Sequence, residues 1–219
     1  MKEININYKL DAMFMTPILV GSLDNAEQLN ADLKKLFLEF EKYPEKHKNK
    51  NSFNTTFGAL FDSGFNLFDY PDQPIKDIKA IIDRILKDWL KVVTELEEPN
   101  IESISFEQHA WFHISRKTAY KSLHNHPNAS WSVVYYIDPG DIDESKRSGY
   151  IQFYDPRSGS NMHEDVSNFK MKREFSQNGI SYKPQAGMFV VFPSYLYHDV
   201  LPYHGEKPRI NIASNYWIK

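Results

Sequence analysis

Four residues carry the chemistry open to this sequence: His124, His126, His198 and Arg209. His124 and His126 sit one residue apart, just ahead of the apolar run from Trp131 to Ile137. Residues i and i+2 of an extended chain point to the same side, so both imidazoles can converge on one point. His198 closes the stretch GMFVVFPSYLYH, after an apolar run and a turn. Two ligands from one strand and a third from a distant one make a three-point metal site, and neutral imidazole suits Fe, Zn, Cu and Ni. Three protein ligands on one face leave other positions open for substrate or oxygen. Arg209 follows eleven residues after His198 and opens RINIASNYW. In a regular strand it shares a face with Asn211, Ala213 and Asn215. A guanidinium inside a β-structure is costly unless it meets a carboxylate, and the bidentate pair is the favoured match. No acidic residue stands near Arg209 in a regular strand position, so a carboxylate ligand would supply the partner.

Each feature alone has a plainer reading. A His-x-His pair arises by chance, a lone histidine after a strand is more often a surface or capping residue, and a strand arginine is most often solvated or ion-paired. The joint order of the four, each beside a strand, raises them above those readings. His109, His113, His163 and His204 lack such context and read as structural or exposed, although His113 could line the interior. The chain has no cysteine. Disulfides, thiolate metal sites and thiol nucleophiles are excluded, and any metal must be held by His, Asp or Glu.

The elements that must position these residues change character along the 219-residue chain. Met13 to Leu23 reads as a strand with a proline near its start, hence an edge strand. Asp24 or Asn25 can N-cap a helix in which Leu29, Leu33, Leu36, Phe37 and Phe40 recur at helical spacing, ending near Tyr43-Pro44. Glu45 to Asn51 is a polar linker, and Asn51 to Tyr70 is irregular with room for a short strand. Gln73-Pro74 opens a second helix with Ile78, Ile81, Ile82, Ile85, Trp89 and Val92-Val93 on one face. From Ile101 onward, short apolar or alternating runs are separated by turn signals, which predicts an antiparallel sandwich or barrel covered by the two helices. Asp155 to Lys172 is a polar insert near a site mouth. Aromatics make up 15% of the chain and suit sheets. The net charge of −3 offers no basic field for nucleic acid. No apolar run approaches the ~20 residues of a membrane span, and no signal-type segment opens the chain, so a cytoplasmic protein is expected.

The pieces HNHPN (124–128), SVVYYI (132–137), GYIQFYDPR (149–157), KPQAGMFVVFPSYLYHDV (183–200) and PRINIASN (208–215) resemble the iron(II)/2-oxoglutarate-dependent oxygenases of the prolyl-4-hydroxylase-like branch, in particular a family of bacteria and phages; FMTPI at 14–18 fits its opening strand. The resemblance implies a mainly β fold with flanking helices: a double-stranded β-helix, or jelly roll, with N-terminal helices packed on one face. It implies one domain over 1–219, with a strand and supporting helices in 1–100 and the jelly-roll core in 101–219. It implies Fe(II), 2-oxoglutarate and O2 as cofactor and co-substrates, with succinate and CO2 as co-products. It implies His124, His126 and His198 as iron ligands and Arg209 as partner of the distal carboxylate of 2-oxoglutarate, with Tyr136 as a candidate second anchor and Asn211 beside them.

One departure matters. The superfamily usually has two histidines and a carboxylate, whereas the second position here is His126. Three neutral ligands leave more positive charge on the metal. A shifted register, with His126 and Asn128 in the two slots, stays open, though Pro127 and the weaker amide ligand favour 124/126. The prime substrate is unnamed by any motif; a protein or peptide side chain or a small molecule fits, and a homodimer stays open. Two rivals remain at this level: a three-His cupin-like dioxygenase that needs no 2-oxoglutarate, and a jelly-roll binding module whose histidines hold zinc or nothing.

Overall fold

A computed structural model of the chain describes residues 9, 13–50, 55–157, 165–176 and 179–219. The readings that fall on residues 1–8, on 51–54 and on 158–164, His163 included, lie outside the described residues. The strands are β1 (Leu19–Ser22), β2 (Thr56–Phe57), β3 (Leu60–Asp62), β4 (Phe106–Ser115), β5 (Tyr120–His124), β6 (Trp131–Asp138), β7 (Ile151–Phe153), β8 (Ile180–Tyr182), β9 (Met188–Pro193), β10 (His198–Val200) and β11 (Arg209–Ile218). The helices are α1 (Glu27–Phe40), α2 (Pro44–His47), α3 (Gln73–Val93), α4 (Glu98–Ser103) and α5 (Val166–Phe169).

The strands form two antiparallel sheets that face each other as a jelly roll rather than a closed barrel. The larger runs β1-β9-β6-β11-β4-β3 and the smaller β2-β5-β10-β7-β8. β1 lies at an edge, with Pro17 just before it, as the sequence suggests. The larger sheet is buried on both faces, which explains the near-continuous apolar runs. On β4, Phe112 and Ile114 face the helices while Trp111 and His113 face the smaller sheet. On β6, Tyr135 and Ile137 alternate with Val134 and Tyr136 in the same way. This is the period-2 alternation of a strand, applied to two cores instead of a core and solvent.

The helices cover the outer face of the larger sheet. α3 buries Ile75, Ile78, Ile82, Leu86 and Trp89, a 3–4 residue spacing that puts one stripe on the sheet. Val92, expected on that stripe, is exposed at the helix end. α1 buries Leu33 and Phe37, and Phe37 stacks on Phe112 with ring centroids 4.1 Å apart. Its buried Asn30 accepts a hydrogen bond from the Tyr135 hydroxyl at 2.6 Å. The expected cap at Asp24 or Asn25 is not formed. Asn25 has φ +56° and the N-cap is Ala26, without a side-chain cap bond. Asp24 and Asn25 instead make the turn that carries β1 into α1. Part of the expected polar linker after Tyr43 is the short α2, opened by Pro44 at a first-turn position that needs no N–H.

Candidate metal centre

His124 is the last residue of β5 and His198 the first of β10, and the two are direct cross-strand partners. His126 lies two residues beyond the end of β5. Its backbone N–H donates to the Ser194 carbonyl at 2.9 Å, which keeps the chain extended up to the Pro127 turn. The three rings converge: centroids are 4.3 Å apart for His124 and His198 and 5.2 Å for His126 to either. One ligand nitrogen from each ring lies within 4.8 Å of the other two.

The donor set is chemically ready for a metal. The Nδ1 atoms of His124 and His198 lie 2.6 and 2.9 Å from the carbonyls of Ser122 and Leu196. A carbonyl only accepts, so both Nδ1 atoms carry the proton and both Nε2 lone pairs are free. Burial lowers the pKa of all three rings, that of His126 to about 3, and the neighbouring imidazoles and Lys121 push His126 the same way. The imidazoles are therefore neutral at pH 7, as ligands must be.

The histidines stand in the wall of a cavity of about 490 Å³ between the sheets. Arg209 lies deeper in the same cavity, only 3% exposed. Its Nη1 donates to Asn211 Oδ1 at 2.9 Å, and its guanidinium lies 5.1 Å from the Tyr136 ring centre. Two buried polar atoms here have no partner: Arg209 Nε and the Tyr136 hydroxyl. Among the described residues no carboxylate is paired with Arg209. Burial lowers the pKa of this arginine and raises that of Tyr136, and each group opposes the other's shift. A buried guanidinium with no carboxylate partner, beside a phenol, is chemically suited to receive a carboxylate.

Sequence reasoning brings His124, His126, His198, Arg209, Tyr136 and Asn211 into one cavity, and the structure places them there. The backbone carbonyl of Asn128 accepts the Trp217 indole N–H at 2.5 Å. Phe65, Trp111, Tyr203 and Trp217 supply aromatic lining to the cavity, while Phe112 points to the helices and Phe153 packs behind His198. His113, which the sequence lets line the interior, is buried in the cavity wall, 3.2 Å from Asn211 Nδ2 and 3.2 Å from Asp62 Oδ1. Its signal was alternation with Trp111 on β4. Asp62 and Lys121 had no signal, because their pairing joins distant segments.

Residues 109–215 match the model of a family described as "Putative 2OG-Fe(II) oxygenase". No curated protein matches the sequence. Among solved structures, a Pseudomonas putida prolyl-4-hydroxylase is similar at TM-score 0.60 and 13% identity, over 92% of each chain. A Trichoplax adhaerens prolyl hydroxylase, in complex with a hypoxia inducible factor peptide fragment, is similar at TM-score 0.61 and 11% identity, over 91% of this chain and 83% of that one. HygX from Streptomyces hygroscopicus, with nickel and 2-oxoglutarate bound, is similar at TM-score 0.55 and 12% identity, over 92% and 83%. At these identities the likeness speaks for the shared fold. The matched segment, just under half of the chain, holds every histidine of the triad together with Arg209, and this match and the shared fold together indicate a 2-oxoglutarate-dependent oxygenase.

Proposed function

We propose that the chain is a hydroxylase in which His124, His126 and His198 hold ferrous iron through Nε2, while Arg209 and Tyr136 hold the distal carboxylate of 2-oxoglutarate. The observation that carries this reading is the buried, carboxylate-free guanidinium of Arg209 in the cavity that the three imidazoles line. Iron supplies the oxygen chemistry that no side chain of this chain can supply. The protein's part is orientation and exclusion of water. Three neutral imidazoles add no negative charge, so the bound metal and Arg209 together favour a dianionic co-substrate. Arg209 has no such task in a dioxygenase without 2-oxoglutarate.

Succinate and CO2 leave as co-products, and one domain over 1–219 does the work. The prime substrate enters from the end of the cavity away from Arg209. That end is lined by Phe65, Trp111, Trp217, Asn128 and Asn215, with His109 packed against Phe65 and Trp217, and it holds no carboxylate, lysine or arginine. Such a surface suits an uncharged side chain of a protein or peptide, or a neutral small molecule. The Trichoplax relative was solved with a peptide fragment in place.

The test is anaerobic titration of metal-free protein with ferrous iron and then 2-oxoglutarate, followed by the visible charge-transfer band of an iron–2-oxo acid chelate. His198→Ala should abolish iron binding. Arg209→Ala should keep iron and weaken 2-oxoglutarate by roughly 10- to 100-fold, the worth of a charge-assisted hydrogen-bonded contact. Iron binding with no band in the unaltered protein would overturn the reading.

A further inference from the structure

Behind Arg209 runs a chain of buried polar groups that the iron and co-substrate do not themselves require. Arg209 Nη1 donates to Asn211 Oδ1 at 2.9 Å. Asn211 Nδ2 lies 3.2 Å from His113 Nδ1. His113 Nε2 lies 3.2 Å from Asp62 Oδ1. Asp62 Oδ2 takes the Lys121 ammonium at 2.9 Å and the Thr56 hydroxyl at 3.2 Å. The chain crosses β11, β4 and β3 of the larger sheet and ends on β5 of the smaller one, three residues before His124.

Proton counting fixes its direction. A guanidinium only donates, so Asn211 must offer its oxygen to Arg209 and its NH2 to His113. His113 Nδ1 then accepts, and the neutral ring carries its proton on Nε2, facing Asp62. Asp62 Oδ1 has no well-formed hydrogen bond, and its charge 3.2 Å from Nε2 favours the proton on that nitrogen. The indole N–H of Trp111 also lies 2.9 Å from Nε2. One nitrogen cannot both accept from the indole and donate to the carboxylate. The Asn211 NH2 already takes Nδ1 as its acceptor and the carboxylate is the stronger claimant on Nε2, so the proton stays on Nε2 and the indole gives up this acceptor.

We propose that Asp62, His113 and Asn211 are positioning residues that hold the Arg209 guanidinium in place for 2-oxoglutarate and tie it, through Lys121, to the strand that carries His124. The proposal rests on Arg209 being the co-substrate anchor. Asp62 fixes the ring tautomer, the ring orients the amide, and the amide leaves the guanidinium one direction in which to aim.

Two measurements test it. The first compares His113→Leu and Arg209→Ala in anaerobic titrations with iron and then 2-oxoglutarate. His113→Leu should weaken 2-oxoglutarate roughly tenfold or more, the usual cost of losing the partner behind a ligand-holding group, with iron affinity unchanged. His113→Gln, which can still donate and accept, should recover part of the loss. If Arg209→Ala weakens 2-oxoglutarate and His113→Leu does not, the relay is wrong and the anchor stands. If Arg209→Ala has no effect either, the anchor itself is wrong. The second uses the unaltered, 15N-labelled protein and needs no variant to fold. Long-range proton–nitrogen correlations should show His113 neutral with its proton on Nε2, and a proton on Nδ1 would overturn the relay.

Discussion

Burial of an imidazole leaves a mark on stability that an exposed one does not. His113 is 8% exposed, and burial together with the nearby Lys121 lowers its pKa to about 4 against the pull of Asp62. The unfolded chain takes up a proton at this ring near pH 6.5, whereas the folded chain refuses it until about pH 4. Its stabilising effect is therefore full above pH 6.5 and is lost as the pH falls through that window, by at most about 1.4 kcal/mol per pH unit. Denaturant titrations at pH 7 and pH 5 should show the unaltered protein losing about 2 kcal/mol more than His113→Gln. Equal losses would mean that the ring titrates as if it were in water. At this scale the sequence was legible where chemistry repeats locally. His124 and His126 announce each other by spacing, and Arg209 stands out as a charge opening an apolar strand. Asp62 was hidden in a segment without period, and nothing local ties it to a histidine 51 positions later.

The strands that carry His124 and His198 are short. β10 has three residues and β5 five, so neither shows the alternation by which β4, β6, β9 and β11 were read. Each is held by cross-strand partners instead, His198 by both His124 and Phe153. The amphipathic stripes of α1 and α3 were legible because each buries one face repeatedly; the turn before α1 was not, because Asn25 in the left-handed region looks in sequence like a cap. The loop before β7 has a stricter demand. Gly149 has φ +67°, and a Cβ there would lie 3.1 Å from Arg209 Cδ and 3.2 Å from its Nε. Gly149→Ala should cost about 1–2 kcal/mol for the left-handed backbone alone. It should also push the guanidinium aside, weakening 2-oxoglutarate while leaving iron affinity unchanged, as titration of the variant would show. An alanine variant with unaltered 2-oxoglutarate affinity would mean that the position of Arg209 is not critical to the co-substrate.

At the scale of the whole molecule, the site is divided between the sheets. His124 and His198 belong to the smaller sheet, while Arg209 and Tyr136 belong to the larger one. A metal bound to the histidines alone ties β5, β10 and the turn after β5, all on one side. A co-substrate that reaches from that metal to Arg209 spans the gap and links the two sheets. Ligands that bind only the folded state stabilise it by mass action, about 2.7 kcal/mol at a hundred times the dissociation constant. For a chain of this size that is a rise in melting temperature of roughly 5–10 °C. Nickel or manganese, which hold still during heating in air, should give one such rise, and 2-oxoglutarate a second that appears only with metal present. The second rise should vanish in Arg209→Ala and shrink in His113→Leu, while the first persists in both. A full second rise in Arg209→Ala would place the co-substrate's far end on some other group of the cavity, and a rise from 2-oxoglutarate without metal would mean that the arginine pocket binds carboxylates by itself, with no bridge between the sheets.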